Sequence, residues 1–314
     1  MNEKVTPYLR DLALNNPAIQ LQFHRSPEED ALKRFQLEDP LEEDKNEVVK
    51  GLVHKYSNRA LIKVSLRCAA HCRFCTRYRQ IGSAEGDLEE TDIDNMATYL
   101  SSNPQIDDVI LSGGDPLYAP KTTINILKKI RDISSIKVFR VGTRLPVHNP
   151  SSFESPLLKR TVNLIDEIGE KKPFFMLINF QHPNELTEET LKVVRSLRRR
   201  NITLLSQTVF LKGVNNSVDN LMELFQGLYH NGVIPYYIFR CDYVKGVERF
   251  VCDIKEEQEI MTLLRSRLSG IACPTYVVDV PGHGKIPVPL SYWDNVDLSH
   301  CRDFKGQEIP LDYS

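Results

Sequence analysis

Cys68-Ala69-Ala70-His71-Cys72-Arg73-Phe74-Cys75 places three thiols, four and three positions apart, on one short segment. The segment directly follows Ala60–Leu66, an apolar run that predicts a buried β-strand. Three thiolates on such a loop can bind three irons of a four-iron cluster and leave the fourth iron open to a substrate or cofactor. The sequence therefore predicts an iron–sulfur site whose chemistry goes beyond electron storage.

Three other interpretations of these cysteines are open: a zinc site with His71 as the fourth ligand, a disulfide, or chance spacing. Zinc sites usually draw on two separated ligand pairs, and the sequence offers no second Cys/His pair. A strand followed by a loop also agrees with the spacing of a cluster loop. We therefore favour the cluster.

Composition limits the class of protein. With 314 residues, 41% hydrophobic and 26% charged, the chain has enough apolar content for one large domain or a domain with an extension. The net charge of −2 provides no basic field for nucleic acid. The cluster Arg195, Arg198, Arg199 and Arg200 is typical of the solvated side of a helix. We therefore expect no nucleic-acid partner.

The sequence also indicates a compartment. No stretch approaches the roughly 20 apolar residues of a membrane span, and Met1–Arg10 lacks the apolar region of a signal peptide. Four of the seven cysteines, Cys241, Cys252, Cys273 and Cys301, are scattered singly, which favours reduced thiols over a disulfide framework. We expect a cytoplasmic protein without a membrane partner, in a reducing compartment that suits an oxygen-sensitive cluster.

Apolar, β-rich runs alternate with amphipathic stretches from Ala60 onward. In residues 220–230, apolar side chains recur at the i, i+3, i+4 and i+7 positions of one helix face. The runs that predict strands are Ala60–Leu66, Asp108–Leu111, Ile136–Val141, Phe174–Ile178, Thr203–Phe210, Ile234–Phe239 and Thr275–Val280. Near-continuous apolar strands are typical of a parallel sheet buried on both faces, and six strand–helix units predict an α/β fold, an open (β/α)6 barrel.

Helix starts and the first part of the chain complete this outline. Thr91 with Asp94 three residues later forms a capping-box pattern, and Thr187 precedes two glutamates. Both predict the start of a helix. The polar and acidic residues 1–50 contain short apolar segments and predict a small helical extension.

Distinctive polar segments fall where the predicted strands end, which is where such a barrel carries its catalytic groups. Ser112-Gly113-Gly114-Asp115 follows the second strand, and its adjacent glycines let backbone approach a ligand closely. Other strand ends carry Gly142-Thr143-Arg144, residues 179–185 and Ser206-Gln207. The alternative to a functional role is, for each segment, a loop whose polar groups form hydrogen bonds within the protein, and this includes the segment that contains His182.

At its cysteines the chain resembles the radical S-adenosylmethionine (radical SAM) enzymes, whose signature is Cys-x3-Cys-x2-Cys. Five further segments are similar to one family among them, the lysine 2,3-aminomutases. They are residues 51–59 (GLVHKYSNR), 76–79 (TRYR), 181–185 (QHPNE), 235–242 (PYYIFRCD) and 274–285 (PTYVVDVPGHGK). The resemblance covers about Asp39 to Pro289. It implies a radical SAM partial barrel at residues 51–290, between the extension at 1–50 and a short tail at 291–314.

The resemblance implies three cofactors: a [4Fe-4S] cluster on the three cysteines, S-adenosylmethionine, and pyridoxal 5′-phosphate. Lys285 matches the lysine that carries pyridoxal phosphate as a Schiff base, and a flexible glycine turn would let its amine swing away. Read without the resemblance, Lys285 is an exposed turn residue. The other cofactor-binding residues implied by the match are Lys55, Tyr56, Arg59, Ser112, Gly113, Gly114, Asp115 and Gln207. Lys55 and Arg59 are the cations among them, and their charge suits the phosphate dianion of the cofactor.

The resemblance also implies a substrate, a free amino acid and in the first place L-lysine. Arg77 matches the arginine that pairs with the α-carboxylate, and Asp242 and Asp279 match the aspartates that bind the remote ammonium. The implied reaction moves the α-amino group to the β-carbon. The alternatives are arginine as substrate, lysine destined for elongation factor P, another radical SAM reaction with Lys285 structural, and a metal-binding module without activity.

The chain departs from the family pattern at a few positions. Lys55 stands where the family usually has arginine, and His283-Gly284 stands in place of a longer glycine run. Ser217 replaces a cysteine of the zinc site of the larger members, and the sequence stops at Ser314 without their cysteine-bearing tail. We therefore expect no zinc, a homodimer in place of the larger enzymes' tetramer, and an electron donor such as flavodoxin or ferredoxin.

Overall fold

A computed structural model describes residues 2–31, 37–83, 87–290, 299–302 and 307–310. Most of the tail predicted at 291–314 lies outside these residues. Ten strands form one sheet in chain order, and two further strands form a separate antiparallel pair. The strands are β1 (Glu47–Val49), β2 (Leu52–Tyr56), β3 (Arg59–Ser65), β4 (Asp108–Gly113), β5 (Val138–Thr143), β6 (Phe174–Asn179), β7 (Thr203–Val209), β8 (Ile234–Phe239), β9 (Thr275–Val280), β10 (Gly284–Pro287), β11 (His300–Arg302) and β12 (Glu308–Pro310).

The helices are α1 (Pro7–Ala13), α2 (Pro17–Phe23), α3 (Glu28–Ala31), α4 (Glu90–Ser102), α5 (Pro120–Ile130), α6 (Leu145–His148), α7 (Pro156–Gly169), α8 (Glu188–Arg198), α9 (Val218–His230) and α10 (Ile254–Arg267). Helices α4 to α10 connect consecutive strands of the sheet, and α1 to α3 precede its first strand. Short 3-10 turns lie at Pro116–Tyr118, Pro150–Glu154, Pro183–Glu185 and Glu248–Phe250. Within the described residues, no helix is long and apolar enough to cross a membrane.

All seven apolar runs predicted as strands are strands, and β3 to β9 are parallel to one another. A parallel neighbour needs a crossover connection, which helices α4 to α10 supply in six strand–helix units. The strands β1, β2 and β10, which the sequence analysis did not predict, are antiparallel additions at the two ends of the sheet. The parallel order is that of the predicted (β/α)6 barrel.

Burial alternates along β4, β5 and β7. On β4, Val109 and Leu111 are fully buried in the main core, whereas Ile110 and Ser112 are half-buried. One sheet face therefore packs under the helices, and the other lines a partly open interior. The prediction that the strands are buried on both faces is wrong for the inner face of β4, β5 and β7, which is half-buried, whereas consecutive residues of β3 and β6 are buried.

The two ends of the strand order meet at Tyr56 on β2 and Gly284 on β10. A Cβ added to Gly284, which has a φ of +80°, would lie 2.5 Å from Tyr56 Oη. Strands that lie eight places apart in the sheet order can touch only if the sheet curves round on itself. The curvature brings the first strands of the sheet beside the last ones.

The first residues of the chain are helical, as predicted, and pack beside the cysteine loop. Leu9, Ile19 and Phe23 are fully buried in a small core with Ala70. The end of the predicted extension is a strand, β1, which pairs with β2 in the main sheet.

The two predicted helix starts have different outcomes. Thr187 is the N-cap of α8, and its hydroxyl accepts from Thr190 N at 3.2 Å, which confirms the prediction. The capping box predicted at Thr91 is wrong, because the N-cap of α4 is Glu89, two residues before Thr91. There, Asp92 reaches back to accept from Glu89 N at 2.9 Å.

Candidate active site

The three cysteines lie on the loop after β3, at the carboxyl end of the parallel strands, and each is half-buried. Lys4 Nζ, just before α1, donates to Cys68 O at 2.6 Å. His71, the alternative zinc ligand, has its Nδ1 2.8 Å from Asn2 O. The start of the chain therefore forms one wall of the cysteine loop.

The three thiols of the loop are free, and none is joined in a disulfide. Burial raises the pKa of all three, that of Cys75 to about 11. Binding iron would therefore release protons. Within the part of the chain that the structure describes, no three His, Cys, Asp or Glu side chains enclose a single ion. Three free thiols on one loop are the donors that a four-iron cluster with one open iron uses.

Gly113 and Gly114 bring the loop after β4 against the cysteine loop. Gly113 has a φ of +106°, and a Cβ added to it would lie 2.5 Å from Ser65 O. A Cβ on Gly114 would lie 2.5 Å from Arg67 O. The glycines are thus required where these two loops pack, whereas the sequence analysis explained them by the approach of a ligand.

Asp115, the acidic residue of the same loop, is buried and bonded within the protein. It accepts from Thr143 Oγ1 at 2.8 Å, from Arg144 N at 2.8 Å and from Leu117 N at 3.0 Å. Burial raises the pKa of Asp115 to about 6, against these hydrogen bonds, which lower it. The carboxylate therefore joins the glycine loop to the end of β5. Asp115 is 2% exposed.

Ser112 and Gln207 belong to the inner face of the sheet. Both are half-buried, and the neighbours of Gln207 along β7, Ser206 and Thr208, are buried on the other face. In the sheet register, Gln207 lies between Asn179 of β6 and Tyr237 of β8. The interior of the barrel is therefore polar at this level.

Asp242 and Asp279 line one pocket of about 170 Å³ at the carboxyl ends of β8 and β9. The Asp279 side chain is 6% exposed and accepts from Lys285 Nζ at 2.9 Å. Burial and the Asp279 carboxylate raise the pKa of Asp242 to about 7, whereas Lys285 and Lys55 lower it. Two carboxylates this strongly coupled stay ionised together only with a cation between or beside them.

Lys285 lies on a strand and not in the turn before it. It belongs to β10, opposite Asp279 of β9, so the prediction of a lysine in a flexible glycine turn is wrong for the lysine itself. Burial by itself lowers the pKa of Lys285, but Asp279 and Tyr56 outweigh it and raise the pKa. The side chain is 38% exposed. The amine is therefore held by an ion pair at the open side of the pocket.

Tyr56, Arg59 and Lys55 come from the other end of the strand order. The Arg59 guanidinium lies 4.0 Å from the centre of the Tyr56 ring. Tyr56 Oη in turn packs against Gly284, the neighbour of Lys285. Lys55 Nζ donates to Leu41 O at 3.1 Å. Curvature of the sheet thus places two predicted phosphate-binding cations near the predicted cofactor lysine.

Arg77 is paired with a carboxylate of the same chain. Its Nε and Nη2 donate to the two carboxylate oxygens of Glu43 at 2.7 and 2.5 Å. Its Nη1 donates to Ser112 Oγ at 3.3 Å and to Gly113 O at 3.0 Å. The expectation that Arg77 pairs with a substrate carboxylate stays a prediction, and in the structure Glu43 occupies the Nε–Nη2 edge. The Nη1 edge faces the glycine loop.

Residues 37–46, here called the crossing segment, pass over the mouth of the barrel. Lys245 N donates to Leu37 O at 3.1 Å, and Leu37 and Pro40 line the pocket of the two aspartates. A Cβ on Gly282 would lie 3.6 Å from the Glu42 carboxylate. The end of the predicted helical extension is therefore part of the site.

Comparison with known proteins agrees with this geometry. Residues 62–225 match the radical SAM superfamily. The L-lysine 2,3-aminomutase of Methanococcus maripaludis is 35% identical to this chain, over 96% of the chain and 70% of the relative. The chain belongs to the lysine 2,3-aminomutase family. Membership makes it an enzyme of the isomerase class, and the superfamily implies a [4Fe-4S] cluster and S-adenosylmethionine.

Other relatives show the extent of the likeness. The L-lysine 2,3-aminomutase of Clostridium subterminale is 37% identical, over 86% of this chain and 64% of its own length. The chain therefore spans about two thirds of these relatives. A radical SAM methyltransferase from Sphaerobacter thermophilus has a TM-score of 0.51 at 16% identity, over 73% of this chain and 68% of that one. This last likeness concerns the fold alone.

Sequence reasoning missed two side chains that contact the family's site residues. Glu43 pairs with Arg77, and Arg144 donates through Nη1 to Cys72 Sγ at 2.9 Å. Glu43 is 34 positions from its partner, and Arg144 is 72 positions from the cysteine. The sequence did offer a hint of each residue. Glu43 is an acidic residue inside the region that resembles the family, and Arg144 belongs to a polar segment at the end of a predicted strand.

We expect Glu43→Gln to weaken folding in a pH-dependent way. Burial alone would raise the pKa of Glu43, but Arg77 outweighs burial, and the pKa is lowered. The stabilisation is thus fully present above the unfolded-state pKa near 4.5 and is lost as pH falls through the lower folded-state value. At neutral pH the substitution should cost about 3 kcal/mol, since it leaves Arg77 without its buried counter-ion. Urea unfolding at several pH values measures this.

Glu154→Gln is the matched control for this prediction, because Glu154 pairs with Lys159 in an exposed position. Its unfolding free energy should stay close to that of the wild type across the pH range, because exposed ion pairs contribute little to stability. A gap between the wild type and Glu43→Gln that is constant from pH 7 to pH 3.5 would contradict the pairing of Glu43 with Arg77.

Proposed function

We propose that this member of the family is a lysine 2,3-aminomutase that converts L-lysine to β-lysine with pyridoxal phosphate held on Lys285. The proposal is carried by one observation, the pocket in which Asp242 and Asp279 lie together beside the Lys285 amine. The names of the relatives support the same reaction.

The electrostatics of the pocket favour a cationic substrate. In the structure, the Lys285 ammonium is the cation that Asp279 needs. Once Lys285 is used to hold pyridoxal phosphate, its charge is no longer available to the pair of aspartates. Burial first and the Asp279 carboxylate second raise the pKa of Asp242 to about 7, so the pair is easier to keep ionised with a cation beside it. The side-chain ammonium of lysine would replace the lost cation.

The residues around Lys285 fit pyridoxal phosphate. Lys55 and Arg59 can pair with a phosphate dianion, and Tyr56 lies against the backbone next to the lysine. Bound pyridoxal phosphate would supply the conjugated carbonyl that holds the migrating nitrogen. The substitution of lysine for the family's usual arginine at Lys55 keeps the charge but gives up a planar fork.

The amino acid would lie between two fixed charges. We assign its α-carboxylate to the Arg77 guanidinium, which in the structure is bonded to Glu43 and to the glycine loop and would exchange one of these partners for the substrate. Its side-chain ammonium would reach Asp242 and Asp279. The distance between these anchors then acts as a ruler for the length of the side chain.

The remaining parts serve the radical step. Cys68, Cys72 and Cys75 would hold the cluster, and Ser112–Asp115 with Gln207 would lie along S-adenosylmethionine. Together these cofactors supply a radical able to remove hydrogen from carbon, with an external one-electron donor such as flavodoxin or ferredoxin. The protein's own part is to orient the substrate and to exclude water. The crossing segment, which covers the aspartate pocket through Leu37 and Pro40, suits the second task.

The experiment is an anaerobic assay with reductant, S-adenosylmethionine and pyridoxal phosphate, in which lysine, arginine, ornithine, glutamate and alanine are offered in parallel. We expect lysine to be converted and glutamate and alanine to be rejected, because an anionic or absent side chain leaves the aspartates unpaired. Mass spectrometry identifies the β-amino acids. Preferred turnover of arginine or of glutamate would each overturn the assignment of lysine.

Asp242→Asn tests the ruler without removing the partner of Lys285. Losing one carboxylate should cost about 2–5 kcal/mol in transition-state binding, on the order of a hundredfold or more in kcat/KM for lysine. Asp132→Asn, at a side chain that is 83% exposed, is the control and should leave kcat/KM unchanged. Undiminished lysine turnover by Asp242→Asn would show that the pocket does not bind the ammonium.

A further inference from the structure

A buried ion pair lies directly against one of the cluster ligands. The Arg144 guanidinium donates from Nη1 to Cys72 Sγ at 2.9 Å and from Nη2 to Glu185 Oε1 at 2.7 Å. Arg144 is 6% exposed and Glu185 is 0% exposed. Glu185 Oε2 also accepts from Gln181 N at 2.7 Å. The pair is therefore fixed in place by the loop after β6.

Among the described residues, the Arg144 guanidinium has one further hydrogen-bond partner, and the Arg144 backbone N donates to Asp115 at 2.8 Å. Nη2 also donates to Gln22 on α2. The guanidinium carbon lies 5.2 Å from the Phe23 ring centre and 5.3 Å from the Phe74 ring centre. Burying a charge in such apolar surroundings is costly, so the fold supports it through a carboxylate and a hydrogen-bonded side chain. The one reactive atom that the guanidinium contacts is the Cys72 sulfur.

We propose that Arg144 and Glu185 are positioning residues that set the reduction potential of the cluster, with Arg144 favouring the reduced state and Glu185 offsetting it. The proposal rests on the family's [4Fe-4S] cluster at the three cysteines, and not on the identity of the amino acid. Cluster potentials depend on net charge, on hydrogen bonds to sulfur and on exposure to solvent, and the pair changes the first two at Cys72.

The electron balance gives the direction in which each residue shifts the midpoint potential. One electron passes from an external one-electron reductant to the cluster, whose negative charge rises by one, and no bond at Cys72 forms or breaks. A cation at the Cys72 sulfur stabilises the more negative state and makes reduction easier. A carboxylate behind that cation opposes it. Removing Arg144 should therefore lower the midpoint potential, and neutralising Glu185 should raise it.

The experiment is a redox titration of the cluster in anaerobically reconstituted enzyme, read by absorbance and by electron paramagnetic resonance. Glu185→Gln keeps the shape and the hydrogen-bonding capacity of the side chain and should raise the potential. Arg144→Met should lower it, and Arg144→Lys, which keeps the charge, should recover most of the loss. Each shift should reach at least a tenfold change in the ratio of reduced to oxidised cluster, about 59 mV for one electron.

Glu257→Gln is the matched control, because Glu257 forms the same kind of buried pair with Arg240 at 2.8 Å. It should leave the potential unchanged. If Arg144→Met lowers iron content because Glu185 is left unpaired, the double variant Arg144→Met/Glu185→Gln removes both charges and should restore it. Its potential should lie between those of the single variants.

Shifts of the same sign in Glu185→Gln and Arg144→Met, or no shift in Glu185→Gln at full iron content, would overturn the proposal. A purely structural role would change iron content without moving the potential of the loaded fraction. The titration contains no amino acid and no pyridoxal phosphate. A wrong substrate assignment would therefore not affect the redox titration. A failed redox proposal would likewise not affect the amino-acid assay.

Discussion

Replacing Cys72 by alanine should remove most of the cluster iron and all reductive cleavage of S-adenosylmethionine. Cys72 is the middle donor of the loop, and it is the one that Arg144 and His148 approach, at 2.9 and 3.6 Å from Sγ. Two thiolates on a short loop cannot retain a four-iron cluster with an open site as three can. Iron and sulfide content, and formation of 5′-deoxyadenosine under dithionite, are the measurements.

The control separates a lost ligand from a damaged fold. Cys301→Ala removes a half-buried thiol on β11, in the separate two-stranded sheet, and should leave iron content and cleavage unchanged. Cys68→Ala and Cys75→Ala should behave as Cys72→Ala does. Full cleavage activity in any of these three variants, with a wild-type circular dichroism spectrum, would exclude the cluster assignment.

The second large effect is expected at Lys285. Lys285→Ala should abolish turnover and the absorbance of lysine-bound pyridoxal phosphate, while cluster iron stays normal, because the amine lies at the aspartate pocket and not at the cysteine loop. Borohydride reduction of the wild type should leave the pyridoxyl group on the peptide that contains Lys285. Mass spectrometry of the digest locates it.

Lys285→Arg sharpens this test. Arginine keeps the positive charge beside Asp279. If Lys285→Ala lost turnover only because the ion pair is lost, Lys285→Arg would retain turnover. A guanidinium cannot take the place of a free amine in binding the carbonyl of the cofactor. We therefore expect Lys285→Arg to fold normally and to lack both absorbance and turnover. Trapping of the pyridoxyl group at Lys245 or Lys212 would show that Lys285 is structural.

Local patterns were sufficient for the elements that lie close to one another along the chain. The run Phe174–Ile178 became β6, and residues 220–230 became most of α9, because apolar periodicity depends only on a few neighbouring residues. Thr187 shows the same locality, since its hydroxyl caps α8 by accepting from Thr190 N at 3.2 Å. A cysteine loop after β3 was likewise predictable from spacing alone.

Patterns misled where a neighbouring element decided the outcome. Lys285 follows a glycine and reads as a turn residue, yet pairing with β9 draws it into a strand. The pattern explains Gly113 and Gly114 by a ligand alone, whereas the carbonyl oxygens of Ser65 and Arg67 also occupy the space that side chains would need. In each case the deciding atoms belong to a segment that the local pattern does not contain.

By itself, the sequence determined the strand–helix alternation, the cysteine loop and the family. The tertiary structure alone decided which charges meet. Closure of the sheet brings Tyr56 against Gly284, folding of the crossing segment places Glu43 on Arg77, and packing under α2 sets Arg144 on Cys72. The physical reason is that periodicity is a property of neighbouring residues, whereas an ion pair depends on how a curved sheet and its loops bring distant residues together.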